Sequence, residues 1–361
     1  MSLSVGIVGL PNVGKSTLFN ALLEKQQALA ANYPFATIEP NVGIVPVPDK
    51  KLPQLAEIVK TEKIVPATVE FVDIAGLVAG AAEGAGLGNK FLANIRETSF
   101  ILHVVRAFAD SNIIKEGSVD PQSDYQTIAT ELQLADLSTL EKQREPKGNQ
   151  ATTDNMARWN TIQEWRSTLD DGKNIRSLEL NEDQLILAKE LALLTAKAEM
   201  VALNVAETDL VNADAIIGEY SDILGISPDN IVVISAKLEE ELVSLSAEEK
   251  SEYLTELGIA QSGLERLIQK AYATLGMQSF YTAGEKEVRA WTISQGMTAP
   301  QAAGVIHTDF TKNFIKARVC SFTDFVEVGG WKAAAELGKI RQEGKDYVMK
   351  PDDVVEFMIG K

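Results

Sequence analysis

One cysteine in 361 residues, Cys320, leaves no partner for an internal disulfide and too few thiols for a cysteine metal cluster. Its surroundings, Lys316-Ala317-Arg318-Val319-Cys320-Ser321, read as a strand with a buried structural thiol. No apolar run approaches the roughly 20 residues of a membrane span. The first residues have neither the basic start nor the small-residue cleavage site of a secretory leader, and residues 5–10 read as a buried strand instead. Basic charge is also scarce. A formal net charge of −17 works against diffuse binding to nucleic acid or to an anionic membrane surface. These shortages lead to the expectation of a cytoplasmic protein with no DNA and no membrane partner; the chain is also expected to be a monomer. The acidity is uneven, however: residues 278–361 are neutral overall, while the chain outside 125–198 and 278–361 carries −14. Any contact with RNA should then come from local basic patches outside the acidic body.

What is present begins at the start. Ser4-Val5-Gly6-Ile7-Val8 is a short β-branched run, and it enters Gly9-Leu10-Pro11-Asn12-Val13-Gly14-Lys15-Ser16-Thr17, followed by a helical stretch. This is the strand–loop–helix of a phosphate-binding loop, G-x-x-x-x-G-K-[ST]. Gly9 and Gly14 let successive backbone N–H groups turn inward, and the loop delivers its anion to a helix N-terminus. Lys15 supplies a cation for the β- and γ-phosphates, and Ser16 a hydroxyl for Mg²⁺. Asn12, Val13, Gly14 and Thr17 complete the cradle. A second strand, residues 67–72, ends in Asp73-Ile74-Ala75-Gly76. In such a D-x-x-G turn the Asp accepts from a metal-bound water and the Gly N–H reaches the γ-phosphate. Thr37 lies in an irregular, proline-flanked loop before residues 42–47, where a nucleotide-sensing threonine would ligate Mg²⁺. Glycines at 80, 84, 86 and 88 then suggest a second switch segment.

Leu77 follows Gly76, where many GTPases carry a glutamine that orients the attacking water. Leucine cannot do this, so a slow intrinsic rate is expected, assisted by another group, a monovalent cation or a partner. His103 lies inside an apolar strand and reads as a core histidine rather than a base. Residues 125–198 show helical recurrences broken at 145–149 and 170–174, which predicts a helical hairpin or three-helix projection whose Trp and Leu positions form packing seams. Two later strands end at Asn204-Val205-Ala206-Glu207 and at Ser235-Ala236-Lys237, where G-proteins read the base. Val205 stands in place of the usual lysine and Glu207 in place of the aspartate that pairs with guanine, so adenine is a serious candidate. From about Gln278 a small α+β domain follows, in which His307 and Asp309 would share a strand face without completing a site.

With these motifs assembled, the chain resembles the YchF/Obg-like ATPase family of translation-factor-class P-loop proteins over nearly its whole length. Besides the two phosphate motifs, the resemblance rests on Asn32-Tyr33-Pro34-Phe35-Ala36-Thr37-Ile38-Glu39-Pro40-Asn41, Arg289-Ala290-Trp291-Thr292-Ile293 and residues 300–310. Ala36 departs from a cysteine frequent in the family. The resemblance implies an α/β fold: a nucleotide-binding G domain with a mostly parallel sheet (1–124 and 199–277), an inserted helical coiled-coil arm (125–198) and a C-terminal TGS domain (278–361). It further implies an ATP-preferring hydrolase associated with the ribosome, chiefly the large subunit, with Mg²⁺ and, beside Asn12, a K⁺-like cation. The expected catalytic residues are Lys15, Thr37, Asp73 and Gly76, and the expected base-pocket residues are Asn204, Val205, Glu207, Ser235 and Ala236. A GTP-specific switch, a nucleotide-gated adaptor with incidental hydrolysis, and a tail that binds RNA independently are the alternatives.

Overall fold

The computed structural model describes residues 4–30, 41–74, 86–108 and 120–360. The chain runs β1 (Ser4–Val8), α1 (Lys15–Ala30), β2 (Val42–Pro46), α2 (Lys51–Val59), β3 (Ile64–Val65), β4 (Thr68–Asp73), α3 (Gly86–Glu97) and β5 (Phe100–Arg106). Then come α4 (Pro121–Glu141), α5 (Thr153–Asp170), α6 (Glu182–Glu190), β6 (Ala198–Asn204), α7 (Ala213–Leu224) and β7 (Ile231–Ile234). After these lie α8 (Ala236–Val243), α9 (Ala247–Glu256), α10 (Gly263–Thr274), β8 (Met277–Ala283) and β9 (Val288–Ser294). The last elements are α11 (Ala299–Ile306), α12 (Thr308–Lys312), β10 (Phe314–Ser321), α13 (Phe322–Val328), α14 (Trp331–Glu336), β11 (Arg341–Glu343) and β12 (Asp353–Ile359). No described helix is long and apolar enough to cross a membrane.

Two compact units emerge, one of residues 1–44 and 70–267 and one of residues 45–69 and 268–361. The first is built on a sheet of order β2-β4-β1-β5-β6-β7. β1 pairs in parallel with β4 and β5, β5 with β6, and β6 with β7. Every residue of β1, β5 and β7 is buried, which is why these strands read as continuous apolar runs rather than alternating ones. The parallel order brings the carboxyl ends of β1, β4, β6 and β7 to one edge, where α/β sheets bind their ligands.

The inserted helices divide their work. The first half of α4 lies in the sheet's own core, with Ile128, Leu132 and Ala135 clustered with Val8, Ile74 and Ile101. Its last turn joins a separate core in which Leu140, Ile162, Trp165, Leu169, Ile175 and Leu187 meet. Trp165 is fully buried, as a packing seam requires. Ile128 and Leu132, expected in the arm, therefore belong to the sheet. Not every leucine of the 125–198 segment lies in a seam: Leu185 is 46% exposed, and Leu187 and Ala188 are the buried residues of α6. The arm's return is pinned by polar contacts. Asp136 accepts from the Leu194 and Thr195 amides at 2.9 and 2.7 Å. Lys197 donates to the carbonyls of Ile95, Arg96 and Thr98, at the end of α3. Burial pushes the Lys197 ammonium down to about 8.

In the second unit the sheet order is β11-β10-β12-β8-β9-β3, mostly antiparallel, with β12–β8 and β3–β9 parallel. One face packs α11 through Phe280, Ile293, Ala302, Ala303, Phe314 and Val355. Alternation puts Tyr281, Val288 and Ala290 on the other face. There α2, with Leu52, Leu55 and Ala56 buried, packs against β8 and β9. Residues 45–69, placed by sequence in the nucleotide-binding domain, thus supply an edge strand and a helix to the carboxyl-terminal unit. The physical reason is that the apolar face of α2 finds its cover there. Cys320 is a buried thiol in β10, and burial pushes it up. His307 does not share a strand face with Asp309: it caps α12, its Nδ1 accepting from the Asp309 amide at 3.2 Å.

Candidate functional site

The loop after β1 is shaped by close approach and unusual backbone. At Gly9 a Cβ would fall 2.9 Å from the Val104 carbonyl oxygen and equally close to Val13. Asn12 has φ +62°, and Gly14 has φ +94°. An added Cβ on Gly14 would meet Asn204 Nδ2 at 2.2 Å. The second glycine is thus required twice, by conformation and by space. The Leu18 amide donates to the Gly14 carbonyl at 3.0 Å, which starts α1 directly behind the loop. Lys15 opens that helix and Ser16, beside it, is exposed, so an anion at this N-terminus meets a cation, backbone amides and a hydroxyl together.

β4 carries Asp73 to the same place. β1 and β4 register Ile7 opposite Asp73, and Lys15 Nζ donates to Asp73 Oδ1 in a partly buried ion pair. Two motifs separated by 58 residues therefore form one charged centre. Thr37, Gly76 and Leu77 lie outside the described residues.

Asn204, at the end of β6, joins this centre to the next loop. Its amide nitrogen donates to the Val13 carbonyl at 2.9 Å, and its oxygen accepts from the Ala236 amide at 2.9 Å. The side chain is 3% exposed, so both bonds are shielded from water. Ser235 caps α8, its hydroxyl accepting from the Leu238 amide. Val205 has its amide bonded to the Ile234 carbonyl, and its side chain is buried in a cluster with Leu203, Val233 and Leu238. The structure places it in the core rather than on an open base pocket, because it follows β6 with its side chain on the apolar face. Glu207 is half-buried at the start of a short 3₁₀ turn, Glu207–Asn212, and accepts from the Tyr253 hydroxyl at 3.3 Å. Tyr253 was not legible as a site residue: it is one aromatic in a charged helix, with no motif around it.

His103 is fully buried, with Nε2 3.1 Å from Glu199 Oε2 and its ring edge-on to Tyr125. Arg176 Nη2 and the Tyr125 hydroxyl reach the same carboxylate at 3.2 and 3.0 Å. Burial alone would raise the Glu199 carboxyl. The Arg176 guanidinium, with the neighbouring His103 ring and the hydrogen bond from Tyr125, outweighs it and brings the group down to about 2. This is a core polar cluster that ties β5 and β6 to α4 and the arm, and it gives His103 a structural partner.

Comparisons with known proteins follow the same outline. A family model described as a 50S ribosome-binding GTPase matches residues 4–148, and a YchF-GTPase carboxyl-terminal model, described as a protein of unknown function, matches residues 277–360. The chain is 49% identical to the ribosome-binding ATPase YchF of Haemophilus influenzae over 365 residues, covering 99% of each. It is 47% identical to the protein of that name from Bacillus subtilis, and 48% to that from Escherichia coli O157:H7, again over 99% of both chains. A solved structure of the Schizosaccharomyces pombe YchF GTPase superposes with a TM-score of 0.87 at 36% identity, covering 99% of this chain and 98% of the other.

Proposed function

The chain belongs to the YchF family, and from that premise we propose that it is a slow ATP hydrolase that acts as a nucleotide-dependent switch on the ribosome. The observation that carries the reading is the convergence of Lys15, Asp73 and Asn204 at the carboxyl edge of one parallel sheet. Lys15 and the loop amides bind the β- and γ-phosphates. Asn204 holds the loop in the conformation that points those amides inward, by anchoring the Val13 carbonyl between Gly9 and Gly14. Asn204, Glu207, Ser235 and Ala236 border the base.

The residues present suit Mg²⁺. The exposed Ser16 hydroxyl, the Asp73 carboxylate and the Thr37 hydroxyl are hard oxygens, two of them brought beside Lys15. Ser16 and Thr37 would hold the ion directly and Asp73 through water. When bound, the ion offsets charge on the phosphate oxygens. Asn12, turned into the left-handed region at the loop's outer side, would help hold a K⁺-like cation. Leu77 offers no hydrogen bond to water, so the chain's own residues bind and orient the nucleotide while acceleration comes from that cation or from the partner.

The names of the relatives support a ribosomal partner, and the description of the matched amino-terminal model supports the large subunit. The names also divide over the nucleotide, ATPase in the bacterial relatives and GTPase in the fission-yeast structure. Glu207 in place of the guanine-reading aspartate favours adenine. Titration of the full chain with ADP and with GDP in Mg²⁺ tests this: ADP should bind more tightly, and much tighter GDP binding would replace the proposal with a GTP switch. A monomeric, cytoplasmic protein fits the same reading.

A further inference from the structure

We propose that Tyr253 is a positioning residue for base selection: its hydroxyl holds the Glu207 carboxylate so that the acid serves adenine and not guanine. The proposal rests on the reading of the site as a nucleotide pocket. Glu207 lies three residues beyond Asn204, whose amide links the phosphate loop to Ala236, so it stands at the ligand edge of the sheet. Tyr253, on α9, donates to Glu207 Oε1 at 3.3 Å across 46 residues of sequence. Its ring packs against the cluster containing Leu242 and Leu254, which limits the directions from which the hydroxyl can approach. The nearby Glu207 carboxylate raises the Tyr253 phenol, so the hydroxyl keeps its proton and remains the donor.

The chemistry of the two purines then decides. Guanine presents an N1–H and an N2 amino group side by side, and a carboxylate reads both only by offering its two oxygens in one plane. The bond from Tyr253 takes one lone pair of Oε1 and sets the plane of the carboxylate from α9, so the two oxygens are not free to turn into line with both guanine donors. Adenine has one exocyclic amino group on that edge, and one acceptor satisfies it. A site built for one donor leaves a guanine N–H without a partner, and unpaired polar groups are what make such discrimination steep. The tyrosine would therefore act against guanine rather than only for adenine.

The test is calorimetric titration of full-length wild type, Tyr253→Phe, Glu207→Ala and the double variant with ADP and GDP, together with thermal unfolding of each. Phenylalanine keeps the ring packing and removes only the hydroxyl. The expected result is an ADP-over-GDP preference that falls about five- to tenfold in Tyr253→Phe, with an unchanged unfolding midpoint, and no further fall when Tyr253→Phe is added to Glu207→Ala. A wild type that prefers ADP and a Tyr253→Phe protein with the same ratio would overturn the proposal alone. So would equal weakening of both nucleotides, or an effect that persists without Glu207. A wild type that prefers GDP would overturn the adenine reading and this proposal with it.

Discussion

Replacing Asn204 with alanine removes the piece that joins the phosphate loop to the base-side loop. The side chain makes two hydrogen bonds, from its amide nitrogen to the Val13 carbonyl and from the Ala236 amide to its oxygen, each 2.9 Å long. It is 3% exposed, so water does not replace either bond without a rearrangement. A buried backbone group left without a partner costs about 1–3 kcal/mol. The two groups together set a ceiling of about 6 kcal/mol, reduced by whatever relaxation lets water in. Part of that cost falls on the fold. The rest falls on nucleotide binding, because the ligand must then order a loop that Asn204 had already ordered. A share of about 1.4–2.8 kcal/mol corresponds to a ten- to hundredfold weaker affinity. The assay is ADP titration of Asn204→Ala in Mg²⁺, with thermal unfolding to show that the protein remains folded. A folded variant that binds ADP within twofold of wild type would refute the reasoning, since the loop would then hold its shape without the bridge.

Other outcomes follow from the same geometry. Gly14→Ala forces an L side chain to φ +94° and drives its Cβ to 2.2 Å from Asn204 Nδ2, so ADP binding should fall more than about a hundredfold, and near-normal binding by a folded variant would contradict this. Glu199 has its folded pKa lowered to about 2 from a reference of 4.5, so its stabilisation is present above pH 4.5 and is lost as pH falls from there towards 2. That loss is on the order of 3 kcal/mol; urea midpoints across this range should depend less on pH in Glu199→Gln, and an unchanged slope would remove the cluster from the account. A fragment of residues 277–361 lacks α2 and β3, which leaves the sheet face under Leu52 and Leu55 bare. It should show no cooperative thermal transition, and fusing residues 45–69 to it should restore one; a sharp transition in the fragment alone would argue against the division.

The phosphate end of the site was legible in sequence because its chemistry is local. A loop of fixed spacing must lie between a strand and a helix, and Lys15 and Asp73 meet because the loop after β1 and the last residue of β4 leave the same end of one parallel strand pair. The cap by His307 and the burial of Val205 were not legible. Each depends on which way a side chain turns once its element has ended. Nor could residues 45–69 be assigned from pattern, since an amphipathic helix such as α2 states that it must be covered and not by what. Tyr253 is the sharpest instance. It reaches Glu207 only because α9 returns to the end of β6, and no spacing in the sequence records that return.

The measurement that bears most directly on the whole account is co-sedimentation of the full chain with ribosomes and with isolated subunits, in the presence of ADP, of a non-hydrolysable ATP analogue and of neither, with Lys15→Ala alongside. A nucleotide switch predicts binding that differs several-fold between the ATP-analogue and ADP forms, and a Lys15→Ala protein that no longer responds to the analogue. Equal binding in all three conditions, unaltered in Lys15→Ala, would mean that the arm and carboxyl-terminal unit carry the function as a scaffold and that the phosphate loop does not control it.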